Sequence, residues 1–291
     1  MHSLTRRQLL ASLGAMLALP CAARAAAGPT VATLDWALLE TLLAMNANVV
    51  AGAELRQFID VAVEPTVPAG VTDLGLRGIP NFEALYHARP DLIFNSNFYL
   101  ANEARLSRIA PVETHSIYLP GESPFAHSIQ ATRAIGERLD LPSGVKMIER
   151  LESQLGSQTR ILAGGDGRPV LPINLGDARH YRVFGSDSMF GEVLARLGLT
   201  NAWTGATAYT AMAPMGIETL ATMPDAWIIL IPPHPADALD ALGRSAFWNA
   251  LPPVRDGRVL TLGAVNPYGA LPAAGRFANL LTEGLARAWN G

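Results

Sequence analysis

The stretch Ser143-Gly-Val-Lys-Met-Ile-Glu-Arg-Leu-Glu-Ser-Gln-Leu-Gly-Ser-Gln-Thr-Arg-Ile161 decides how the rest of the chain is read. Ile148, Leu151 and Leu155 fall on one stripe at helical spacing, and Lys146, Glu149, Arg150, Glu152 and Gln154 fill the other positions. Ser143 stands where an N-cap belongs. A helix of about 19 residues spans roughly 28 Å, enough to run the length of two lobes. A rigid helix at mid-chain, in place of a flexible linker, predicts lobes that move little when a ligand binds.

The flanking sequence alternates strands and helices. Val31-Ala-Thr-Leu34, Val49-Val-Ala51, Thr72-Asp-Leu-Gly-Leu76 and Asp91-Leu-Ile-Phe94 read as short strands. Trp36 to Met45 carries Leu38, Leu39, Leu42 and Leu43 at helical spacing, and a further helix starts at about Pro80 or Asn81 and ends at Arg89-Pro90. The second half repeats this plan. Phe190-Gly-Glu192-Val-Leu194 with Gly198 resembles Leu39-Glu40-Thr-Leu42 with Asn46, a helix with a left-handed stop. Ile217-Glu218-Thr-Leu220 with Pro224-Asp225-Ala-Trp-Ile228 resembles Phe82-Glu83-Ala-Leu85 with Pro90-Asp91-Leu-Ile93. The matches lie 152 and 135 residues apart and run in the same order, which implies two α/β lobes of similar plan. The expected organisation is an N-terminal lobe at 26–142, a connecting helix at 143–162 and a C-terminal lobe at 163–291.

Residues 1–25 read as a secretory signal peptide. Arg6-Arg7 precedes the apolar run Leu9 to Leu19, which is too short to span a bilayer, and Ala23-Arg24-Ala25 forms a cleavage site. Two export routes fit: the paired arginines resemble a twin-arginine signal, and an ordinary secretory signal with two basic residues reads the same way. Cys21 is the one cysteine; it belongs to the discarded segment, or is a lipid-attachment site, which Pro20 fits poorly. Removing Arg6, Arg7 and Arg24 takes the net charge from −3 to −6. A mature chain without cysteine has no disulfide and no thiolate site.

The chain has 291 residues, 49% hydrophobic and 16% charged, so it has material for a real core and no composition of a disordered chain. Its mild acidity gives no reason to expect nucleic acid as a partner. Gly185-Ser186-Asp187-Ser188 lacks the pattern of a nucleophile elbow, and Gly164-Gly-Asp-Gly167 lacks the Lys-Ser/Thr of a phosphate loop, so an enzyme is not expected. The six histidines, at 2, 87, 115, 127, 180 and 234, have no metal-ligand spacing.

Several stretches together resemble the periplasmic solute-binding proteins with a helical backbone, and among them the FhuD-like ferric-hydroxamate binding proteins. They are Thr33-Leu-Asp-Trp36, Asp73-Leu-Gly-Leu-Arg77-Gly-Ile-Pro-Asn81, Ser107-Arg-Ile-Ala-Pro111, Arg179-His180 with Val183-Phe-Gly185, Asn201-Ala-Trp203, and Phe247-Trp248 with Leu251-Pro-Pro-Val-Arg255-Asp-Gly-Arg258. The likeness covers nearly the whole chain. It implies two Rossmann-like α/β lobes joined by one long backbone helix, with a ligand cleft between them. It also implies a periplasmic protein, expected as a monomer, that captures a ferric siderophore and delivers it to an inner-membrane ABC permease. The alternative cargo is another metal chelate such as cobalamin or haem.

A hydroxamate siderophore already surrounds iron with oxygen ligands, so the protein needs no metal ligand or cofactor of its own. It needs hydrogen-bond donors and apolar walls. The resemblance places Arg77 at the hydroxamate-binding arginine, against the plain reading of a surface arginine paired with Asp73 or Glu83. It places Tyr99 at a hydroxyl donor in the loop after Asp91–Phe94, with Asn97 and Phe98 as cleft candidates by adjacency. Trp36 is a cleft wall or a core tryptophan. Where members of the family have large aromatics, this chain aligns Val61, Thr210 and Asn266, with Tyr209 and Tyr268 nearby as substitute aromatic surface. A polar wall at Asn266 would suit a more polar ligand. Arg179 and His180 face the cleft or have structural roles. Glu103 and Glu218 align at or beside the family's permease-docking carboxylates.

Overall fold

A computed structural model describes residues 28–207 and 214–290, so the leader read at residues 1–25, with Cys21, and the site candidates Tyr209 and Thr210 lie outside the described residues. The N-terminal lobe is built on five parallel strands: β1 (Thr30–Thr33), β2 (Asn48–Gly52), β3 (Thr72–Asp73), β4 (Leu92–Asn95) and β5 (Val112–Thr114), in the order β3-β2-β1-β4-β5. Parallel neighbours need crossovers. Helices α1 (Trp36–Ala44), α2 (Leu55–Ala62) and α3 (Phe82–Ala88) supply the first three. A 3₁₀ stretch, Asn97–Asn102, and the one-turn helix α4 (Glu103–Leu106) supply the fourth. Helix α5 (Pro124–Leu139) then leads to α6 (Ser143–Leu162).

The second lobe contains β6 (Val170–Leu175), β7 (His180–Val183), α7 (Met189–Arg196), β8 (Met215–Gly216), a 3₁₀ turn (Ile217–Thr222) and β9 (Trp227–Leu230). Short helices α8 (Ala238–Gly243), α9 (Ala246–Ala250) and α10 (Pro252–Arg255) precede β10 (Val259–Thr261), and α11 (Leu271–Asn290) closes the chain. The strand order is β10-β9-β6-β7-β8, the same order as the first lobe when strands are counted within each lobe. One strand differs: β7 runs antiparallel to β6 and β8. The turn at 176–179 is too short for a crossover, so the chain returns as a hairpin. Asp177 fastens that hairpin by accepting from the backbone N of Arg179 (2.6 Å) and His180 (2.8 Å).

The internal repeat therefore holds unevenly. The 217–230 segment matches 82–95 in position as well as in pattern, since both lead from the third strand to the fourth. Helices α1 and α7 match in pattern only, because α7 follows its lobe's second strand. Their stops are alike: Asn46 has φ 58° and Gly198 has φ 76°.

Helix α6 occupies Ser143–Leu162, but Ser143 does not cap it. Its hydroxyl donates to Met45 O (2.8 Å) and so closes the end of α1 instead. Met147 packs in the first lobe's core, while Ile148, Leu151, Leu155 and Leu162 pack in the second's. A second long helix lies beside it. Gln154 Nε2 donates to Gly275 O (2.8 Å) and Gln158 Nε2 to Asn279 Oδ1 (2.6 Å), tying α11 to α6. The segment entering α11 crosses back to the first lobe. Glu40, on α1 and wholly buried, accepts from Asn266 Nδ2 (2.8 Å) and Ala270 N (3.0 Å). Any side chain at Gly269 would strike the Glu40 carboxyl, so the close approach needs glycine there.

Burial pushes the Glu40 carboxyl up to about 8, against the opposing bonds from Asn266, Ala270 and Ala273. Its ordinary value is 4.5, so the native state holds a proton that the unfolded chain has released between these limits. The resulting stability is fully present below the lower value and is lost as pH rises through the upper one. The denaturant midpoint is expected to fall between pH 5 and pH 8, and Glu40→Gln, which has no charge to bury, is expected to flatten that fall. A variant as pH-dependent as the parent would contradict the assignment.

Candidate functional site

Every strand of the first lobe's parallel sheet ends in a loop that sends a side chain to one place. Asp35 and Trp36 follow β1, Glu54 follows β2, Arg77 and Gly78 follow β3, Phe98 and Tyr99 follow β4, and Tyr118 follows β5. Convergence beyond the carboxyl ends of parallel strands is the ligand position of open α/β sheets. Tyr268, from the second lobe, completes the lining of a cavity of about 380 Å³.

Asp35 is fixed by its helix. It caps α1, accepting from Ala37 N (2.8 Å) and Leu38 N (3.1 Å), and it accepts from the Ser96 hydroxyl (2.7 Å). Burial nevertheless raises its carboxyl above the usual range. Trp36 is buried, and its Nε1 donates to Ala53 O (3.0 Å). The Arg77 guanidinium carbon lies 3.9 Å over the Trp36 ring centre. Arg77 Nε donates to Glu54 Oε2 (2.7 Å) and its backbone N to Glu54 Oε1 (3.1 Å). The Tyr99 phenol lines the same cavity beside the guanidinium, whose charge acts on it. Burial pushes that phenol up to about 12, so it stays protonated and remains a donor. Tyr118 donates its hydroxyl to Gly269 O (2.6 Å), joining the cavity wall to the crossing segment. The site therefore offers cationic and neutral donors in an aromatic frame. Among the described residues, no group of three or more His, Cys, Asp or Glu side chains is placed to hold a metal ion, and no helix is long and apolar enough to cross a membrane.

The sequence pattern of the periplasmic binding protein family matches residues 31–265. The chain belongs to this family. As a periplasmic binding protein it is 30% identical, over 256 residues, to the iron(3+)-hydroxamate-binding protein FhuD of Escherichia coli K12, covering 88% of this chain and 86% of that one. The Fe3+–Desferal-bound FhuD of Vibrio cholerae has the same fold, with a TM-score of 0.84 at 23% identity over 89% of this chain and 98% of that one. A siderophore periplasmic binding protein from the fuscachelin gene cluster of Thermobifida fusca superposes with a TM-score of 0.66 at 20% identity, over 91% and 98% of the two chains. These relatives are solute-binding proteins, not enzymes.

In this periplasmic binding protein, Arg77, Tyr99, Trp36, Phe98 and Tyr268 come together at the cavity. Trp36 is both core and wall. Arg77 pairs with neither Asp73 nor Glu83: Asp73 instead accepts from Gly75 N (2.9 Å), and Glu83 lies beside His87 on an exposed turn. Asn97 stands behind the wall, its Nδ2 donating to Tyr118 O (3.1 Å). Two candidates are corrected. Val61, 6% exposed, packs in the core with Leu55, Phe58 and Ala62 on the apolar face of α2, away from the cavity. Asn266, 1% exposed, is turned into the contact with Glu40 and gives the cavity no polar wall. Arg179 and His180 form the exposed β6–β7 hairpin and do not line the cavity.

Sequence reading missed Asp35, Glu54 and Tyr118. Asp35 had a signal, an N-cap residue just before an apolar helical run. Glu54 had only its place after a strand. Two residues of the Gly185–Ser188 stretch have structural work: Ser188 Oγ accepts from Gly191 N (3.1 Å) to cap α7, and the Asp187 carboxylate accepts from Thr207 N (2.8 Å) and Oγ1 (2.6 Å). Asp35→Ala removes the cap of the helix that carries Glu40. Thermal or denaturant unfolding is expected to show a loss of about 1–2 kcal/mol, whereas Asp35→Asn, which can still cap, is expected to keep most of it.

Proposed function

We propose that this periplasmic binding protein captures a ferric siderophore of the hydroxamate type in the cavity and delivers it to an inner-membrane ABC permease. The observation that carries the reading is the meeting of the Arg77 guanidinium and the Tyr99 hydroxyl inside an aromatic frame of Trp36, Phe98, Tyr118 and Tyr268. Hydroxamate oxygens on iron are polarised acceptors, and these two groups are matched donors. A guanidinium fork reaches two oxygens of one complex, and the rings cover the apolar arms. The likeness to proteins named for iron(3+)-hydroxamate and Fe3+–Desferal binding points the same way.

Residues 1–25 act as the export signal, 26–142 and 163–291 form the lobes and 143–162 the connecting helix in this reading. The protein works in the periplasm as a monomer. Glu103, in the first turn of α4, and Glu218, in the 3₁₀ turn after β8, are exposed on different lobes, and each offers the permease one carboxylate. Exposed ion pairs are worth about 0–1 kcal/mol each, so they orient the docked protein more than they hold it.

Fluorescence quenching with a panel of ferric hydroxamates is expected to show binding, and failure with every member would sink the proposal. Arg77→Ala is expected to cost about 1.5–3 kcal/mol of that binding and Tyr99→Phe about 1 kcal/mol. Protein purified from iron-starved native cells is expected to carry a broad charge-transfer band; a Soret or corrin spectrum would move the assignment to haem or cobalamin.

A further inference from the structure

Arg77 does not stand alone in the cavity. Glu54 is the second residue after β2 and has left-handed backbone angles, φ 53° and ψ 42°, which residues with a Cβ adopt at a cost. That conformation is used. The Glu54 backbone N donates to Gly75 O (2.8 Å), while its carboxylate takes both Arg77 N (3.1 Å) and Arg77 Nε (2.7 Å). Three bonds from one residue thus fix the 75–77 loop, and Trp36 supports the guanidinium from below. Glu54 engages only Nε of the guanidinium side chain, so the arginine is oriented while the donors of its two terminal nitrogens are left by Glu54 for a ligand.

The second consequence is charge. The lining contains one cation, Arg77, and two carboxyl groups, Asp35 and Glu54. Asp35 is tied up by its capping bonds at the cavity floor, and Glu54 is paired directly with the arginine. The cavity therefore presents strong donors without a net positive field. A neutral or cationic complex meets no penalty there, whereas an anionic complex meets the Glu54 carboxylate with its attraction to Arg77 already offset.

We propose that Glu54 is the positioning residue for Arg77 and the residue that sets the ligand charge the cavity accepts, favouring neutral or cationic ferric tris-hydroxamates over anionic ferric tris-catecholates. This inference rests on the siderophore reading above.

The test titrates the parent protein and Glu54→Gln with three ferric complexes: a monocationic linear tris-hydroxamate (ferric desferrioxamine B), a neutral cyclic tris-hydroxamate and a trianionic tris-catecholate. The parent is expected to prefer the first two by at least about tenfold. In E54Q the ratio of catecholate to cationic hydroxamate affinity is expected to rise by about tenfold, the order of one unit-charge interaction near a protein surface. In Glu54→Ala the neutral complex is expected to weaken as well, because Arg77 loses its orientation. Equal changes for all three ligands, or none, would reduce Glu54 to a structural role and overturn the inference while leaving the siderophore reading intact. Binding of none of the three by the parent overturns both. If the variants do not fold, the parent protein still decides: its charge preference is expected to shrink as salt is raised, and a preference indifferent to salt overturns the inference.

Discussion

One buried carboxyl group, that of Glu40, holds the two halves of this molecule at a single angle. It sits on the first helix of the first lobe and bonds two groups that lie more than 220 residues later, on the segment entering the last helix. The cavity depends on that contact. Asn266 not only reaches Glu40 through its Nδ2; its Oδ1 accepts from Tyr268 N (3.1 Å), so the same side chain that locks the lobes also sets the backbone carrying the cavity's second-lobe wall. Gly269 lets the chain pass close enough, and Tyr118 bonds the carbonyl of that glycine from the opposite side. Breaking one partner of such a network leaves the others buried and unpaired, which costs more than the bond itself was worth.

The site also depends on direction. Five parallel strands point their carboxyl ends the same way, so five loops meet. The second lobe, with β7 reversed, has no comparable convergence in the cavity among the described residues. It contributes Tyr268, and it anchors Thr207 through Asp187. The donors Arg77 and Tyr99 and the stacking ring of Trp36 thus stand just beyond the strand ends of one sheet.

Patterns local in sequence were legible; pairings distant in sequence were not. The helix at 143–162, the left-handed stops at Asn46 and Gly198 and the strands around Ile93 and Ile228 follow from residue spacing and backbone preference. The hairpin that reverses β7 was open to inference, since Gly176 to Arg179 is too short for a crossover, yet strand periodicity itself is blind to direction. Val61 and Asn266 were misplaced because alignment with larger side chains says where a residue falls along the chain, not which way its helix or loop turns it. Val61 follows the apolar face of α2, and Asn266 follows Glu40, a partner that no local pattern reveals. Glu54 was hidden for the same reason: its role is a bond to Arg77, 23 residues on.

A single connecting helix would leave the lobes free to twist about its axis. Here α11 runs beside α6, bonded to it through Gln154 and Gln158, and both helices pack into the cores. Two parallel struts resist twisting where one does not, and the Glu40 contact resists opening at the end nearest the cavity. At the cavity Glu54 already orients Arg77, and the rings of Trp36 and Tyr118 are already packed. A wall ordered on folding lowers the ordering cost of any later binding event.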